Sequence, residues 1–406
     1  MSPIELPLPA VEAALRTCTR RLADELASPQ PSAPDWTEFE WRVAMAVSVV
    51  QGVSGLLTTR LRWAGPPWWE TFLARQLYQT VLRQQAIESL LAQIDEATAS
   101  AGLTVVGLKG SALLGLGLYA SGERPMADID LLVHPADTER LLPLLKALGY
   151  AEGLRNWRHQ TLVQTAAPAQ TAFGENAGNP IKIELHTRIQ ARLPSSVTDI
   201  TALAWPAAAR PGLQTYPSLA ALMSHLLLHA ADNMRSRALR LVQLQDIALL
   251  SARMHEDDWQ ALWADLQSPG AWWALPPLAL TKACFAGAVP AAVLCRFESA
   301  CPWLLRRVAA RQQLADVSHS QLRMEAFPGL EWARTPAEAL RFVQSRVFPD
   351  DEALRQRRYD AAAQPGCGST AWQSLPQSRR IWRWVVSTPP RVHTLDAVQR
   401  ALAYQP

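Results

Sequence analysis

Lysine and excess charge of either sign are both scarce in this sequence. The 406 residues carry 39 basic and 36 acidic side chains, a formal net charge of +3, and lysine occurs only at Lys109, Lys146, Lys182 and Lys282. A balance so close to neutral excludes a general affinity for nucleic acid or for anionic membranes. Any basic surface for a partner must therefore be local and built mainly from arginine.

Paired cysteines and long apolar runs are also absent. The five cysteines include no C-x-x-C pair, and an odd number cannot form a closed set of disulfides, which favours a reducing compartment. No apolar run reaches the ~18 residues of a membrane span, and the first residues lack the basic and apolar regions of a secretion signal. We therefore expect a cytoplasmic protein with no transmembrane segment. No pattern indicates an oligomeric state.

What is present is a globular composition, with 49% apolar and 18% charged residues. The chain is longer than one compact core usually is, and no internal repeat divides it. Changes of pattern along the sequence predict four parts. They are an N-terminal helical region (1–101), a small α/β core (102–205), a C-terminal helical domain (206–360) and a tail with an amphipathic Trp/Arg segment (361–406).

Helical spacing of apolar residues dominates both ends of the chain. One such pattern runs from Trp36 to about Trp63, and a stronger one runs from Trp68 to Gly102, a glycine placed as a helix C-cap. From Ser218 onward the pattern is helical again, and no strand-like alternation recurs.

The middle of the chain alternates short β-branched runs with helical segments. This predicts an α+β fold in which a mixed sheet is flanked by the two helical regions. The predicted strands are 104–106, 129–133, 161–165 and 181–185, and the predicted helices among them are 112–119 and 137–148.

Two aspartates stand two residues apart in one of the predicted strands. Side chains alternate along a strand, so Asp128 and Asp130 project from one face while Ile129 and Leu131 face a core. Neighbouring carboxylates repel each other, and a divalent cation with oxygen ligands is one way to offset that repulsion. The plain alternative is a solvated aspartate pair at a strand end.

Two further features favour the metal interpretation. Gly110 and Ser111 end one strand and open a helix, which leaves backbone N–H groups and a hydroxyl available to a phosphate oxygen. Glu184 lies between Ile183 and Leu185 in a later strand, with its carboxylate on one face and the apolar groups on the other. Three carboxylates and a phosphate-binding turn are thus expected to converge.

In this order, the motifs resemble those of the polymerase-β-like nucleotidyltransferases. More closely, LKGSALLGLGLY, Arg124, DIDLLV and IELH, followed by LLLH, QDIALL and RFVQSRVFPDDEAL, are similar to a largely uncharacterised bacterial nucleotidyltransferase family of the LKG type. The resemblance covers roughly residues 70 to 360 and implies that the α/β unit is a nucleotidyltransferase core.

The resemblance implies a two-metal enzyme that uses a nucleoside triphosphate (NTP). Asp128 and Asp130 would bind two Mg²⁺ (or Mn²⁺) ions, and Glu184 would complete the second site. Ser111 and the Gly110 backbone would hold the β- and γ-phosphates. Arg124 or Lys109 would add positive charge to them. For Arg124 the alternatives are a solvated side chain or a pair with Glu123, and for Lys109 a side chain that reaches solvent.

Several polar residues of the later segments are further candidates for substrate contact. His186 shares the face of Glu184, and His229 lies on one helix face with His225, a spacing that also suits zinc but lacks a third ligand. Asp246 lies on an apolar helix, so we expect a buried partner for Arg240, His229 or a nucleotide group. The segment RRIWRWVV is typical either of an amphipathic packing helix or of a partner-binding surface.

The predicted activity is transfer of a nucleoside monophosphate to a hydroxyl or phosphate of an acceptor, with release of pyrophosphate. The near-neutral charge favours a small molecule or a peptide over nucleic acid as the acceptor. One alternative is a glycosyl or other group transferase with a nucleotide-activated donor, but such an enzyme leaves Gly110, Ser111 and Glu184 unexplained. The other is a non-catalytic binding module, which the complete set of three carboxylates disfavours.

Overall fold

The computed structural model describes residues 7–166, 172–267, 270–355 and 375–405. These residues form an α+β fold with one mixed sheet and helices on both of its faces, which confirms the predicted fold class. The division of the chain into four parts by residue number stays a prediction. The Gly/Pro/Ser-rich stretch at 364–369 in the predicted tail lies outside the described residues.

The longest helix of the N-terminal region is the one predicted from Trp68 to Gly102. At its end Gly102 has φ +64°, its N–H donates to the Ala99 carbonyl, and the N–H of Leu103 donates to the Thr98 carbonyl. These two bonds are the Schellman motif that stops a helix. The helices of this region are α1 (Leu8–Ala27), α2 (Glu38–Val50), α3 (Ser54–Arg60) and α4 (Pro67–Ser100).

The single helical segment predicted from Trp36 to Trp63 is wrong in one respect, because it is broken into α2 and α3. Gly52, with φ +68°, reverses the chain between them. Within the described ranges no single helix has the length and apolarity of a membrane span. Helices α2 and α3 reach both only when taken together, across a bend of 113°.

The central sheet has six strands in the order β3-β4-β5-β2-β1-β8. Strand β2 runs parallel to β5 and antiparallel to β1, while β8 extends the sheet parallel to β1. The strands are β1 (Thr104–Gly107), β2 (Asp128–Val133), β3 (Tyr150–Arg155), β4 (His159–Gln164), β5 (Lys182–His186) and β8 (Gly212–Gln214), and β6 (Gln190–Arg192) and β7 (Val197–Asp199) form a separate hairpin. The predictions missed β3, β8 and both strands of the β6-β7 hairpin.

Two helices were predicted inside the core, and one is shorter than expected. Helix α5 (Gly110–Gly115) ends before the predicted limit of 119, because Gly115 and Gly117 interrupt the apolar run. Helix α6 (Thr138–Ala147) follows a short 3-10 turn and matches its prediction.

The two faces of the sheet differ as the alternation in β2 predicts. Ile129 and Leu131 are fully buried on one face in a core shared with α4 and α6. Asp128 and Asp130 lie on the opposite face, toward the C-terminal helices. The sheet therefore presents its carboxylates to a space between itself and those helices.

Helices from both ends of the chain share one large hydrophobic core. Helix α17 (Val392–Leu402) packs on α2, and α14 (Leu314–Val317) packs on α1. The other helices of this part are α7 (Thr201–Ala204), α8 (Leu219–Arg235), α9 (Leu241–Ser251), α10 (Glu256–Gln267), α11 (Leu275–Cys284), α12 (Ala291–Ala300), α13 (Trp303–Ala309), α14 (Leu314–Val317), α15 (Pro336–Val347) and α16 (Gln377–Ser387).

Candidate active site

Three carboxylates meet on the two central parallel strands. In the register of β2 and β5, Asp130 stands directly opposite Glu184, and Asp128 stands opposite Lys182. Parallel pairing places the side chains of opposed residues on the same face of the sheet. The three acids therefore lie side by side at the floor of one cavity of about 400 Å³ between the sheet and helices α8 and α9.

With the exception of Ser111, all the predicted site residues line this cavity. They are Asp128, Asp130, Glu184, Lys109, Gly110, Arg124, His186, His229 and Asp246. Ser111 does not line the cavity, and its Oγ is buried without a hydrogen-bond partner among the described residues.

Asp130 is held by two neighbours on the same face. Its Oδ1 atom lies 2.7 Å from Lys109 Nζ and 2.9 Å from His186 Nε2. Lys109 does not extend to solvent, which was one alternative for it, because Asp130 holds its ammonium group inside the site. The backbone of Lys109 has φ +45°, an unfavourable conformation for a non-glycine residue that functional sites often retain.

The pKa values of the three acids are displaced in different directions. Burial, and then the charge of Asp130, raises the pKa of Asp128. Burial and the two aspartates raise the pKa of Glu184 to about 8. Burial also acts to raise the pKa of Asp130, but Lys109 and the hydrogen bond from His186 outweigh it and hold that pKa well below its usual range.

Of the three carboxylates, Asp130 is the one with a lysine or arginine within ion-pair distance among the described residues. Asp128 and Glu184 are oxygen donors for which ionisation is unfavourable without further positive charge. Oxygen ligands from carboxylates are what Mg²⁺ and Mn²⁺ bind. The residues present therefore fit a divalent cation.

Arg124 and Asp246 form a pair that the sequence did not indicate. Arg124 donates from Nε to Asp246 Oδ1 at 2.7 Å and from Nη2 to Oδ2 at 2.8 Å, and Tyr119 donates to the same carboxylate at 2.6 Å. The expectation that Asp246 pairs with Arg240 or His229 is wrong. The alternative that Arg124 pairs with Glu123 is also wrong. Arg124 reaches Asp246 because α9 folds back across the site from 122 residues away.

Arg240 is a cation of the cavity wall that lacks a carboxylate partner. No described acid lies within ion-pair distance of it, and burial lowers the pKa of its guanidinium. Its Nε donates to the Val50 carbonyl at the end of α2, at 3.1 Å. A Cβ at Gly52 would lie 2.5 Å from Arg240 Nη2, so the glycine that breaks α2 from α3 also makes room for this side chain.

His159 is a site residue that the sequence reasoning missed. It begins β4, opposite His186 in the register, and its Nδ1 lies 3.5 Å from Glu184 Oε2. The strand was predicted to start only at Thr161. The alternation of His159 with Thr161 would have placed it on the face of the acids.

His229 is neutral in this setting. Its Nε2 lies 3.2 Å from the Asn233 side-chain nitrogen, and burial together with Lys109 lowers its pKa to about 3. His225 faces the Tyr216 hydroxyl instead, so these two histidines do not converge on a shared ligand.

A second cavity of about 430 Å³ adjoins the first at the carboxylates. Asp128, Glu184 and Arg240 line both cavities, while Lys182 and Phe173 line only the second. Asp128 and Glu184 therefore stand between two spaces, each large enough for part of a substrate, while Asp130 faces only the first.

The profile of a family described as uncharacterised nucleotidyltransferase matches residues 37–311 of the chain. The match includes the whole sheet and helices α8 and α9, but not the similar stretch noted at 341–354. No curated protein and no solved structure gives a significant match. The family's description supports nucleotidyl transfer as the general activity. Because the matched residues make up more than half of its length, the chain belongs to the uncharacterised nucleotidyltransferase family.

Proposed function

We propose that this protein is a metal-dependent nucleotidyltransferase that moves a nucleoside monophosphate from an NTP to a hydroxyl or phosphate of an acceptor. The observation that carries the proposal is the convergence of Asp128, Asp130 and Glu184 on one face of two parallel strands, at the floor of a cavity. Mg²⁺ or Mn²⁺ is the proposed cofactor, since oxygen ligands bind both ions.

In the proposed reaction an acceptor oxygen forms a bond to the α-phosphorus. The bond from that phosphorus to the bridging oxygen breaks, pyrophosphate leaves, and the acceptor proton passes to solvent. Asp128 and Asp130 would hold both divalent cations, and Glu184 would complete the second. When bound, such cations stabilise negative charge on the attacking and leaving oxygens.

Triphosphate binding is proposed for the turn that carries Gly110 and Ser111. Gly110 supports this role because it lines the cavity, whereas the buried Ser111 hydroxyl, which has no hydrogen-bond partner among the described residues, would have to turn toward the cavity to bind a phosphate. Lys109 and Arg124 would contribute positive charge, but each would have to loosen an existing ion pair. Arg240 has no such pair to break and is the better placed cation.

The acceptor would occupy one of the two adjoining cavities and the NTP the other. Donor and acceptor must approach the carboxylates from different sides for an in-line displacement. A small molecule or a peptide is favoured over nucleic acid, since the chain carries a net charge of only +3. His186, His229 and Asp246 stay candidates for substrate contact through the cavity wall that they share.

Calorimetric titration of the four NTPs with Mg²⁺ tests this proposal. We expect metal-dependent binding by the wild type and its loss in Asp130→Asn. A loss of affinity of about 10-fold or more is expected in Arg240→Gln, because charge-assisted hydrogen bonds to phosphate are each worth about 1.5–3 kcal/mol. Asp137→Asn, at a charged position outside the cavity, is the matched control. Equal, metal-independent affinity in wild type and Asp130→Asn would refute the proposal.

A further inference from the structure

We propose that His159, Glu184 and His186 form a mixed nitrogen and oxygen metal site that gives this centre a preference for first-row transition ions over Mg²⁺. The proposal rests on the proposed function, because Glu184 is also one of the three carboxylates of the nucleotidyl-transfer site. It goes further by naming two imidazoles as ligands and a class of metal that they select.

The distances between the ligand atoms suit one ion. Glu184 Oε2 lies 3.5 Å from His159 Nδ1 and 3.8 Å from His186 Nε2. All three ligand atoms lie within 4.8 Å of one another. Ligand atoms bound to one ion at about 2.1 Å lie about 3 Å apart when they are adjacent. Displacements of the side-chain ligand atoms by under about 1 Å would therefore bring most of these distances into the range of a bound ion.

All three proposed ligands project from strands of the sheet, and none of them lies on a loop. His159 on β4 and His186 on β5 are opposed in the antiparallel register, and Glu184 lies two residues before His186 on the same face. The two imidazole rings are 5.1 Å apart between centroids. Ligands placed on paired strands lose little conformational freedom when they bind, which favours a specific site.

The ring of His159 has a second polar neighbour besides Glu184. On the far side of that ring the Asn156 side-chain nitrogen lies 3.4 Å from Nε2 and helps to orient it.

His186 has a competing partner, which defines the rearrangement that binding requires. Its Nε2 lies 2.9 Å from Asp130 Oδ1, closer than to Glu184. A cation at His159 and Glu184 would replace this hydrogen bond with a metal bond and would add positive charge beside Asp130. The side chains involved are between 11% and 21% exposed, so water competes for them only in part.

The mixed donor set determines the class of ion. Imidazole nitrogen suits Mn²⁺, Fe²⁺, Co²⁺ and Zn²⁺ increasingly well, whereas Mg²⁺ prefers oxygen ligands and retains its waters. Three carboxylates alone are a donor set that suits both Mg²⁺ and Mn²⁺. The two histidines beside Glu184 therefore predict tighter binding of Mn²⁺ than of Mg²⁺.

Pulsed EPR of the full-length, chelator-stripped protein loaded with one equivalent of Mn²⁺ tests the inference directly. We expect nitrogen couplings typical of bound imidazole in the wild type, together with a Mn²⁺ affinity at least about 10-fold above that for Mg²⁺. His159→Gln should weaken or remove the nitrogen couplings and lower Mn²⁺ affinity by about 10-fold or more. His229→Gln, which removes an imidazole from the same cavity but outside the cluster, should leave the couplings unchanged.

The outcomes separate this inference from the proposed function. Mn²⁺ that binds, is lost in Asp128→Asn and shows no imidazole coupling would overturn the mixed site while leaving the carboxylate site intact. Failure of both Mn²⁺ and Mg²⁺ to bind the wild type would overturn both. The couplings are read in the wild-type protein itself, so the test stands even if a histidine variant does not fold.

Discussion

Asp128 and Asp130 occupy the same strand face, yet their surroundings give them opposite effects on folding. Asp130 is ion-paired to Lys109 and hydrogen-bonded to His186, so its charged form is stabilised in the folded state. Asp128 has no described ion-pair partner, and burial beside Asp130 makes its charged form unfavourable. One carboxylate thus contributes to stability, and the other costs stability until a cation binds.

This contrast predicts opposite changes in the free energy of unfolding for two conservative variants in metal-free buffer. The folded-state pKa of Asp128 is raised, so above that pKa its ionisation opposes folding, and Asp128→Asn should increase the free energy of unfolding. Asp130→Asn leaves the Lys109 ammonium buried without its partner and should decrease it by about 3 kcal/mol. Urea unfolding at neutral pH with a chelator present measures both changes.

Addition of Mg²⁺ provides the control for that comparison. The cation should stabilise the wild type and reduce the advantage of Asp128→Asn, because the variant lacks a ligand. Lower stability of both variants in chelator would show that groups of the protein itself already stabilise the charged form of Asp128. That result would argue against a need for a bound cation at this position.

The sequence predicts which residues belong to the site better than it predicts the partners of their side chains. The β2 alternation placed Asp128 and Asp130 on the correct face, since a strand's side-chain period is local. The partners of Lys109 and Arg124 depended on how distant elements pack, and Asp246 comes from a helix 122 residues further on. Local patterns contain no information on such pairs.

Elements were predicted well where they are long and periodic, and poorly where tertiary contacts define them. Helix α4 and strand β5 have strong patterns of their own, and both were found. Strand β3 is largely exposed and exists because β4 pairs with it, and the short strand β8 exists because β1 offers a free edge. The break between α2 and α3 depends on one glycine, Gly52, whose φ is positive.

The turn before β4 is fastened to helix α8 by one buried carboxylate. Asp232 on α8 accepts from Arg158 Nη1 at 2.7 Å and from Arg235 Nη2 at 2.9 Å. Burial acts to raise the pKa of Asp232, but the two arginines outweigh it and lower the pKa to about 2. This contact joins the strand that carries His159 to the helix on the other side of the cavity.

Asp232→Asn should therefore destabilise the protein in a pH-dependent manner. Because the folded-state pKa is depressed, the charged Asp232 adds stability above the unfolded-state pKa of about 4, and this stability is lost as the pH falls toward about 2. At neutral pH the variant should lose about 2 kcal/mol of unfolding free energy relative to wild type. Urea unfolding at neutral pH, and at successively lower pH while the wild type stays folded, measures the difference.

The difference between the two proteins should shrink as the pH falls below about 4. Asp257→Asn, at an exposed aspartate of α10, is the matched control and should change stability by no more than about 0.5 kcal/mol at any pH. A loss in Asp232→Asn that is the same at all pH values would show that its side chain acts through shape or packing instead of charge.

At the scale of the whole molecule, the two ends of the chain close around the same core. Helix α17, near the C-terminus, packs on α2, and Arg16 of α1 donates to Asp316 of α14 at 2.7 Å. Since α2 also supplies the carbonyl that holds Arg240, the position of the C-terminal helix is coupled to the wall of the proposed site. Unfolding of either end should therefore destabilise the other.

Val398 gives a direct test of this coupling. It is fully buried between α17 and the helical core, so Val398→Asp would replace apolar burial with an uncompensated charge and should cost about 3 kcal/mol or more. Hydrogen exchange should then accelerate in α2 as well as in α17, because one core contains both. Val386→Asp, at a valine that is 62% exposed on α16, is the matched control and should leave both helices protected. Faster exchange confined to α17 would mean that the C-terminal helix docks as an independent unit and that α2, with the carbonyl that holds Arg240, is stabilised without it.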